Sequence, residues 1–399
     1  MLILIYSHFL FSTSGIAKYL LQLSMLKNRI LLIKPASSLC NMRCDYCFYN
    51  DEAENREIAC YGVMRQETAH LLIDSTLKNL DGEATFAFQG GEPTCAGFAF
   101  FEDFVSYAKT QYPEAKVNYA LQTNGYIIDR TWAKFFHENN FLIGLSMDGN
   151  KKIHDTYRHG KDGKGSFTHT FKASQLLTVE KVEFNILTTV TNNVVKNIKE
   201  IYEFFTRNGF YYQQYIPCID PLSSQRGDSE YSLTSQGYAD FLCQLFDLWY
   251  KDLQAEKYVS IRYFDNLVNM LLGRYPEACG MMGICGNNYV VEADGAVYPC
   301  DFYVLDSYRL GNIRTDSYEV LDNKRKELKF VEKSYQVTDE CKACQFYPIC
   351  RGGCRRDRDN FQTGELEQTY LCPAYKRFFA YALPRLNTVA QFIAHNMSK

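Results

Sequence analysis

The sequence predicts an α/β protein: a partial, TIM-like (β/α)6 barrel followed by a small cysteine-rich domain. From about residue 29, short β-rich runs alternate with helical patterns for six rounds, as parallel βαβ units do. After Pro217 that rhythm stops, and from Cys279 onward the chain is dense in Cys, Gly and Arg. Six rounds suit an open, partial barrel better than a closed eightfold one.

The predicted strands are 30–34, 85–89, 117–122, 142–147, 182–190 and 211–216, mostly Val, Ile, Phe and Tyr runs ending near Gly, Asn, Asp or Pro. Helical patterns fall at 65–79, 98–110, 130–139, 167–179 and 193–208, long enough for right-handed crossovers. A loop rich in Ser, Gly and Asp (220–232) leads to an amphipathic stretch, 238–253, read as a bridge. A hairpin is expected over 289–298, where Asp294-Gly295 supplies a tight turn. The C-terminal part, with so few regular elements, needs staples, and metal ligation could supply them. The domain division is therefore 1–24 as an N-terminal extension, 25–232 barrel, 233–278 bridging helical segment, 279–372 cysteine-rich domain and 373–399 C-terminal helix.

The apolar run over 2–11 has neither a basic region before it nor a small-residue cleavage site, and it is too short to span a bilayer. Met25 is the expected functional start. The expected compartment is then cytoplasmic and reducing, where thiolates can serve as ligands. A net charge of −3 without a basic run argues against a nucleic-acid partner, and no membrane partner is expected. Fifteen cysteines are many for 399 residues, so their spacing must decide their use.

Just past the first predicted strand stands Cys40-Asn-Met-Arg-Cys44-Asp-Tyr-Cys47. A [4Fe–4S] cluster ordinarily takes four thiolates, so a loop with three leaves one iron open. A zinc site or a chance group of buried cysteines is the bland alternative, but zinc wants four ligands and only Cys60 lies nearby. Farther on come Cys279-x5-Cys285-x14-Cys300, then Cys341-x2-Cys344-x5-Cys350-x3-Cys354, then Cys372. These eight thiols make two sets of four, for two iron–sulfur clusters or, on spacing alone, equally for zinc. Cys60, Cys95, Cys218 and Cys243 are left as loop or core residues.

The first motif, C-x3-C-x-aromatic-C, resembles the signature of the radical S-adenosylmethionine (SAM) superfamily, and Gln89-Gly-Gly-Glu-Pro93 is similar to its GGEP segment. The resemblance implies that SAM chelates the open iron and yields a 5′-deoxyadenosyl radical. It implies that Gly90, Gly91 and Glu92 meet the SAM amino group and that Tyr46 lies against the adenine. Ser146 and Arg158 would hold the carboxylate and ribose region. Gln89, Tyr49, Gln122 and Ile219 lie at strand ends or in the cysteine loop, where they could touch SAM or substrate.

The C-terminal cysteines are similar to the SPASM domain of peptide-modifying members. That resemblance implies one cluster on Cys279, Cys285, Cys300 and Cys354 and a second on Cys341, Cys344, Cys350 and Cys372, making three [4Fe–4S] clusters in all. The segments 31–38, 86–94, 121–125, 144–149 and 297–304 together look like the anaerobic sulfatase-maturating enzymes. These oxidise a Cys or Ser of a sulfatase to Cα-formylglycine. By this resemblance Asp301 is the general base, the partner is a sulfatase polypeptide with a C/S-x-P/A-x-R type motif, and a flavodoxin or ferredoxin supplies electrons. Another SPASM-type modifier, forming a thioether or crosslink, and a non-catalytic iron–sulfur or zinc protein are the alternatives.

Overall fold

The six predicted strands all form, each within two residues of its expected bounds. They are β1 (Arg29–Ile33), β3 (Glu83–Phe88), β4 (Lys116–Thr123), β5 (Leu142–Ser146), β7 (Phe184–Val190) and β8 (Tyr212–Pro217). The computed structural model describes residues 28–222, 224–361 and 363–397. The expected start at Met25 and the extension 1–24 lie outside the described residues. Alternation builds the strands: in β3, Ala84, Phe86 and Phe88 are buried while the residues between them are half-buried. The helices answer with apolar stripes, as in Gln66–Leu77, which buries Ala69, Leu72, Ile73 and Leu77. Phe86, Phe88, Phe101, Phe104, Phe136 and Phe141 form the aromatic heart between sheet and helices.

Side-chain caps fix several helix starts. Asp129 accepts from the Trp132 N–H, Thr191 from Val194, and Thr234 from Gly237. The helix expected over 193–208 is two, Asn192–Lys196 and Ile198–Arg207, because the chain leaves helical geometry at Asn197 (φ −120°), whose side chain donates back to the Asn193 carbonyl.

The cysteine-rich part is not a separate layer. Its hairpin, β10 (Tyr289–Val291) and β11 (Ala296–Tyr298), turns at Gly295 (φ +89°) and joins the barrel sheet, β10 lying parallel to β1 with Leu31 opposite Tyr289. With β9 (Ser260–Ile261) and β12 (Gly311–Asn312) the sheet has ten strands in the order β12-β11-β10-β1-β3-β4-β5-β7-β8-β9, parallel from β10 to β9. A boundary at 279 thus cuts between chain segments but not between sheets. The C-terminal helix begins at Cys372 rather than after it, and its Phe378 packs on Phe246 and Phe264 of the two bridging helices, Ser235–Gln254 and Arg262–Leu271.

Buried arginines also hold the irregular C-terminal segment. Arg355 donates to Asp359 and to the Phe330 carbonyl, and Arg358 donates to the carbonyls of Ser334 and Gln336. A guanidinium can satisfy several loop carbonyls at once, replacing the partners that helices and strands would provide. No helix among the described residues is long and apolar enough to cross a membrane.

Candidate metal and catalytic centre

Because the strands from β10 to β9 run parallel, their C-terminal ends share one edge, where parallel α/β sheets bind ligands. The three-cysteine loop lies there. Met42–Cys44 forms a short strand, β2, antiparallel to β6 (Arg158–Gly160), with Cys44 directly opposite Arg158. Cys47 precedes the helix Phe48–Glu54. Burial pushes the thiols of Cys40, Cys44 and Cys47 up, Cys44 to about 12, and each also feels the charge of another cysteine or of Arg158. Buried thiols of this kind stay neutral unless a cation draws them into thiolates, which a metal cluster does.

The Gln89–Pro93 loop packs directly on the cysteine loop. The Gly91 N–H donates to the Ser37 carbonyl and the Glu92 N–H to the Leu39 carbonyl; a Cβ on Gly91 would stand 2.3 Å from the Leu39 oxygen. Glycine is needed here for contact between two backbones. The Glu92 carboxylate is unevenly used. Oε1 accepts from the Thr94 N–H and hydroxyl and the Thr123 hydroxyl, while Oε2 accepts, at 2.8 Å, from the Asn124 N–H alone. It thus braces the ends of β3 and β4 and still has a lone pair on Oε2 with which to accept from an ammonium.

Arg158 is likewise committed. Its Nε lies 2.7 Å from Asp148 Oδ2 and its Nη2 3.2 Å from Oδ1, leaving Nη1 for any ligand. Burial pushes the Asp148 carboxyl up, but Arg158 outweighs it and holds the group below the usual carboxylate range. The Tyr46 hydroxyl donates to the same carboxylate, and the Arg158 guanidinium lies 5.4 Å from the Tyr46 ring centre. Ser146, the last residue of β5, and Ile219, just past β8, are half-buried at the same edge. Gln122 lies within β4, one residue before its end.

Asp301 joins the two halves of the protein. Its Oδ2 accepts from the Tyr49 hydroxyl and from Gln89 Nε2, both at 2.7 Å, while its buried Oδ1 has no partner. Burial raises its pKa, opposed by Lys34 and by those two hydrogen bonds. A carboxylate with one anchored and one open oxygen, made more basic by its surroundings, is suited to take a proton.

Behind it lies an ion network that the sequence reading missed. Lys34 Nζ sits 3.2 Å from Glu52 and 3.3 Å from Glu292, and Arg56 stands 2.8 Å from Glu292. Burial pushes Glu52 up to about 7 in spite of Lys34. Lys34 lies in the segment 31–38, and a lysine directly after the apolar run Leu31–Ile33 was the available signal. Asp148, inside the quoted 144–149 segment, had none beyond its position.

The eight C-terminal thiols gather in two groups. Cys279, Cys285, Cys300 and Cys354 lie within electrostatic reach of one another, as do Cys341, Cys344, Cys350 and Cys372. The second group walls a cavity with Phe346, Gln368 and Phe379. Among the described residues no three His, Cys, Asp or Glu side chains are arranged to hold one metal ion. A cubane, with one thiolate on each iron, asks for ligands spread around a volume, and the all-thiolate donor sets fit that demand.

Comparison with known proteins agrees with this geometry. Residues 35–205 match the family model described as the radical SAM superfamily, and residues 279–345 match the iron–sulfur cluster-binding domain SPASM. The chain is 47% identical to a cysteine-type anaerobic sulfatase-maturating enzyme of Clostridium perfringens, over 91% of this chain and 98% of that protein. It is 28% identical to a serine-type anaerobic sulfatase-maturating enzyme of Bacteroides thetaiotaomicron, over 90% of each. Among solved structures it is similar to native anSMEcpe with bound AdoMet and Cp18Cys peptide, at 46% identity and a TM-score of 0.87 over 92% of this chain and 99% of that one.

Proposed function

Since the chain belongs to the anaerobic sulfatase-maturating enzymes of the radical SAM superfamily, we propose that it converts a cysteine of a sulfatase polypeptide to Cα-formylglycine, with Asp301 as the base. When bound, a [4Fe–4S] cluster and SAM supply the one-electron cleavage that makes a carbon radical able to take hydrogen from the target Cβ. Cys40, Cys44 and Cys47 would hold that cluster. Two further clusters would sit on the two C-terminal thiol groups. Gly90, Gly91, Glu92, Tyr46, Ser146, Ile219 and the free nitrogen of Arg158 would bind SAM.

The observation that carries the reading is the meeting of Tyr49, from the three-cysteine loop's helix, with Asp301, beside Cys300, at 2.7 Å. That contact ties the helix after the three-cysteine loop to the segment carrying Cys300 and leaves one Asp301 oxygen open. Asp301 would accept the thiol proton as the substrate is oxidised, and Gln89 and Tyr49 keep its other oxygen fixed. The preference for cysteine over serine is supported by the higher identity to the cysteine-type relative, 47% against 28%. An electron donor such as flavodoxin or ferredoxin and a sulfatase motif of the C-x-P-x-R kind complete the scheme.

Reconstituted enzyme, SAM and dithionite are to be incubated anaerobically with paired peptides carrying Cys or Ser in that motif, and the products weighed. Aldehyde formed on the Cys peptide together with 5′-deoxyadenosine is the expected result. 5′-Deoxyadenosine alongside a thioether or crosslink mass instead of the aldehyde would overturn it.

A further inference from the structure

Resting on Cys40 as a ligand of the SAM-cleaving cluster, we infer that the Asn124 side-chain N–H group donates towards the Cys40 sulfur and raises the reduction potential of that cluster. Asn124 stands directly after β4 and is held from three sides. Its N–H donates to Glu92 Oε2 at 2.8 Å, its carbonyl accepts from the Thr170 hydroxyl at 2.7 Å, and its side-chain Oδ1 accepts from the Tyr126 N–H at 2.9 Å. The last bond settles the orientation of the amide, since only its oxygen can accept from a backbone N–H. Nδ2 is thereby set 2.8 Å from Asn41 Oδ1 and 3.8 Å from Cys40 Sγ.

Asn41 is then oriented in turn. With its oxygen accepting from Asn124, its remaining group is a donor, and that Nδ2 is buried without a hydrogen-bond partner in the protein. Asn41 Oδ1 also lies 4.0 Å from Cys40 Sγ, so this amide turns an acceptor towards the sulfur and leaves Asn124 as the side-chain donor. A second donor, the Met42 N–H at 3.3 Å from Cys40 Sγ, is backbone and present in any sequence; Asn124 is the adjustable part. Reduction adds negative charge to the cluster and its thiolates, and N–H groups aimed at the sulfur favour the more negative state.

The positioning role has a consequence for the reaction. Too few donors and the cluster resists its own reductant; too many and it no longer delivers the electron to a sulfonium. Asn124 places this balance on a residue whose backbone N–H is held by Glu92 and whose side chain is held by the Tyr126 N–H.

The test is a potentiometric titration of reconstituted full-length enzyme followed by electron paramagnetic resonance, the N-terminal cluster being recognised by its response to added SAM. In Asn124→Ala its reduction equilibrium should shift about tenfold towards the oxidised form, roughly 59 mV for one electron, and Asn124→Asp, which replaces the donor by an anion, should shift it further. The auxiliary signals should stay in place in both variants. A loaded, SAM-responsive cluster with an unchanged midpoint in Asn124→Ala, or in Asn124→Asp where the first variant fails to load, overturns the inference. A wild-type protein that gains no SAM-responsive cluster overturns the reading of Cys40 on which it rests.

Discussion

Asp301 has one oxygen bonded twice and one oxygen bonded to nothing, and that asymmetry is what its replacement should expose. Asp301→Asn keeps the shape and removes the basicity. Formylglycine yield is expected to fall by about 10²-fold or more, the usual weight of a general base, while 5′-deoxyadenosine is still formed; chromatography of both products checks it. Glu52 offers a pH signature. Its carboxyl is raised from 4.5 to about 7, so the protonated form favours the fold and that contribution is lost as pH rises through about 7. In anaerobic melts the wild type should therefore lose stability relative to Glu52→Gln between about pH 4.5 and pH 7; parallel curves would refute this. The sequence made Asp301 legible through the context 297–304. It hid Glu52 and Glu292, because what matters about them is a lysine that only the fold brings to both.

Strands and long helices were legible because each is a local pattern: buried alternate residues in β3, an apolar stripe along Gln66–Leu77. The pairing of β2 with β6 was not, since Cys44 and Arg158 meet across more than a hundred residues and each strand has only three. The two-residue β9 carries too little pattern to be seen. At this scale the close approach at Gly91 is testable. Gly91→Ala forces a Cβ into the Leu39 carbonyl, which can only be relieved by moving the cysteine loop. The variant should retain the auxiliary clusters and lose the first one, about eight irons by chemical analysis where the wild type has about twelve. A full iron complement would show that the loop tolerates the shift.

Across the whole molecule, Lys34 from the barrel and Glu292 from the cysteine-rich part are one buried ion network, and β1 and β10 are neighbours in one sheet. Removing one partner of such a network strands the other charges, at a cost of about 3–5 kcal/mol. Glu292→Ala is accordingly expected to lower the melting temperature of the entire protein in a single transition, monitored by anaerobic calorimetry. Two separated transitions would mean that barrel and C-terminal part unfold independently. The hairpin 289–298 was legible as a hairpin, but nothing local in it reveals that its first strand docks on residues 31–33.

That docking makes the order of synthesis matter. β1 leaves the ribosome among the first strands, yet its partner on one side follows roughly 260 residues later, a delay on the order of tens of seconds during translation. Throughout that interval its Leu31 and Ile33 backbone presents an open edge able to recruit any extended chain. Nascent chains stalled or cleaved before Tyr289 would be trapped in that state, so premature termination should yield aggregates where one would otherwise look for a working barrel.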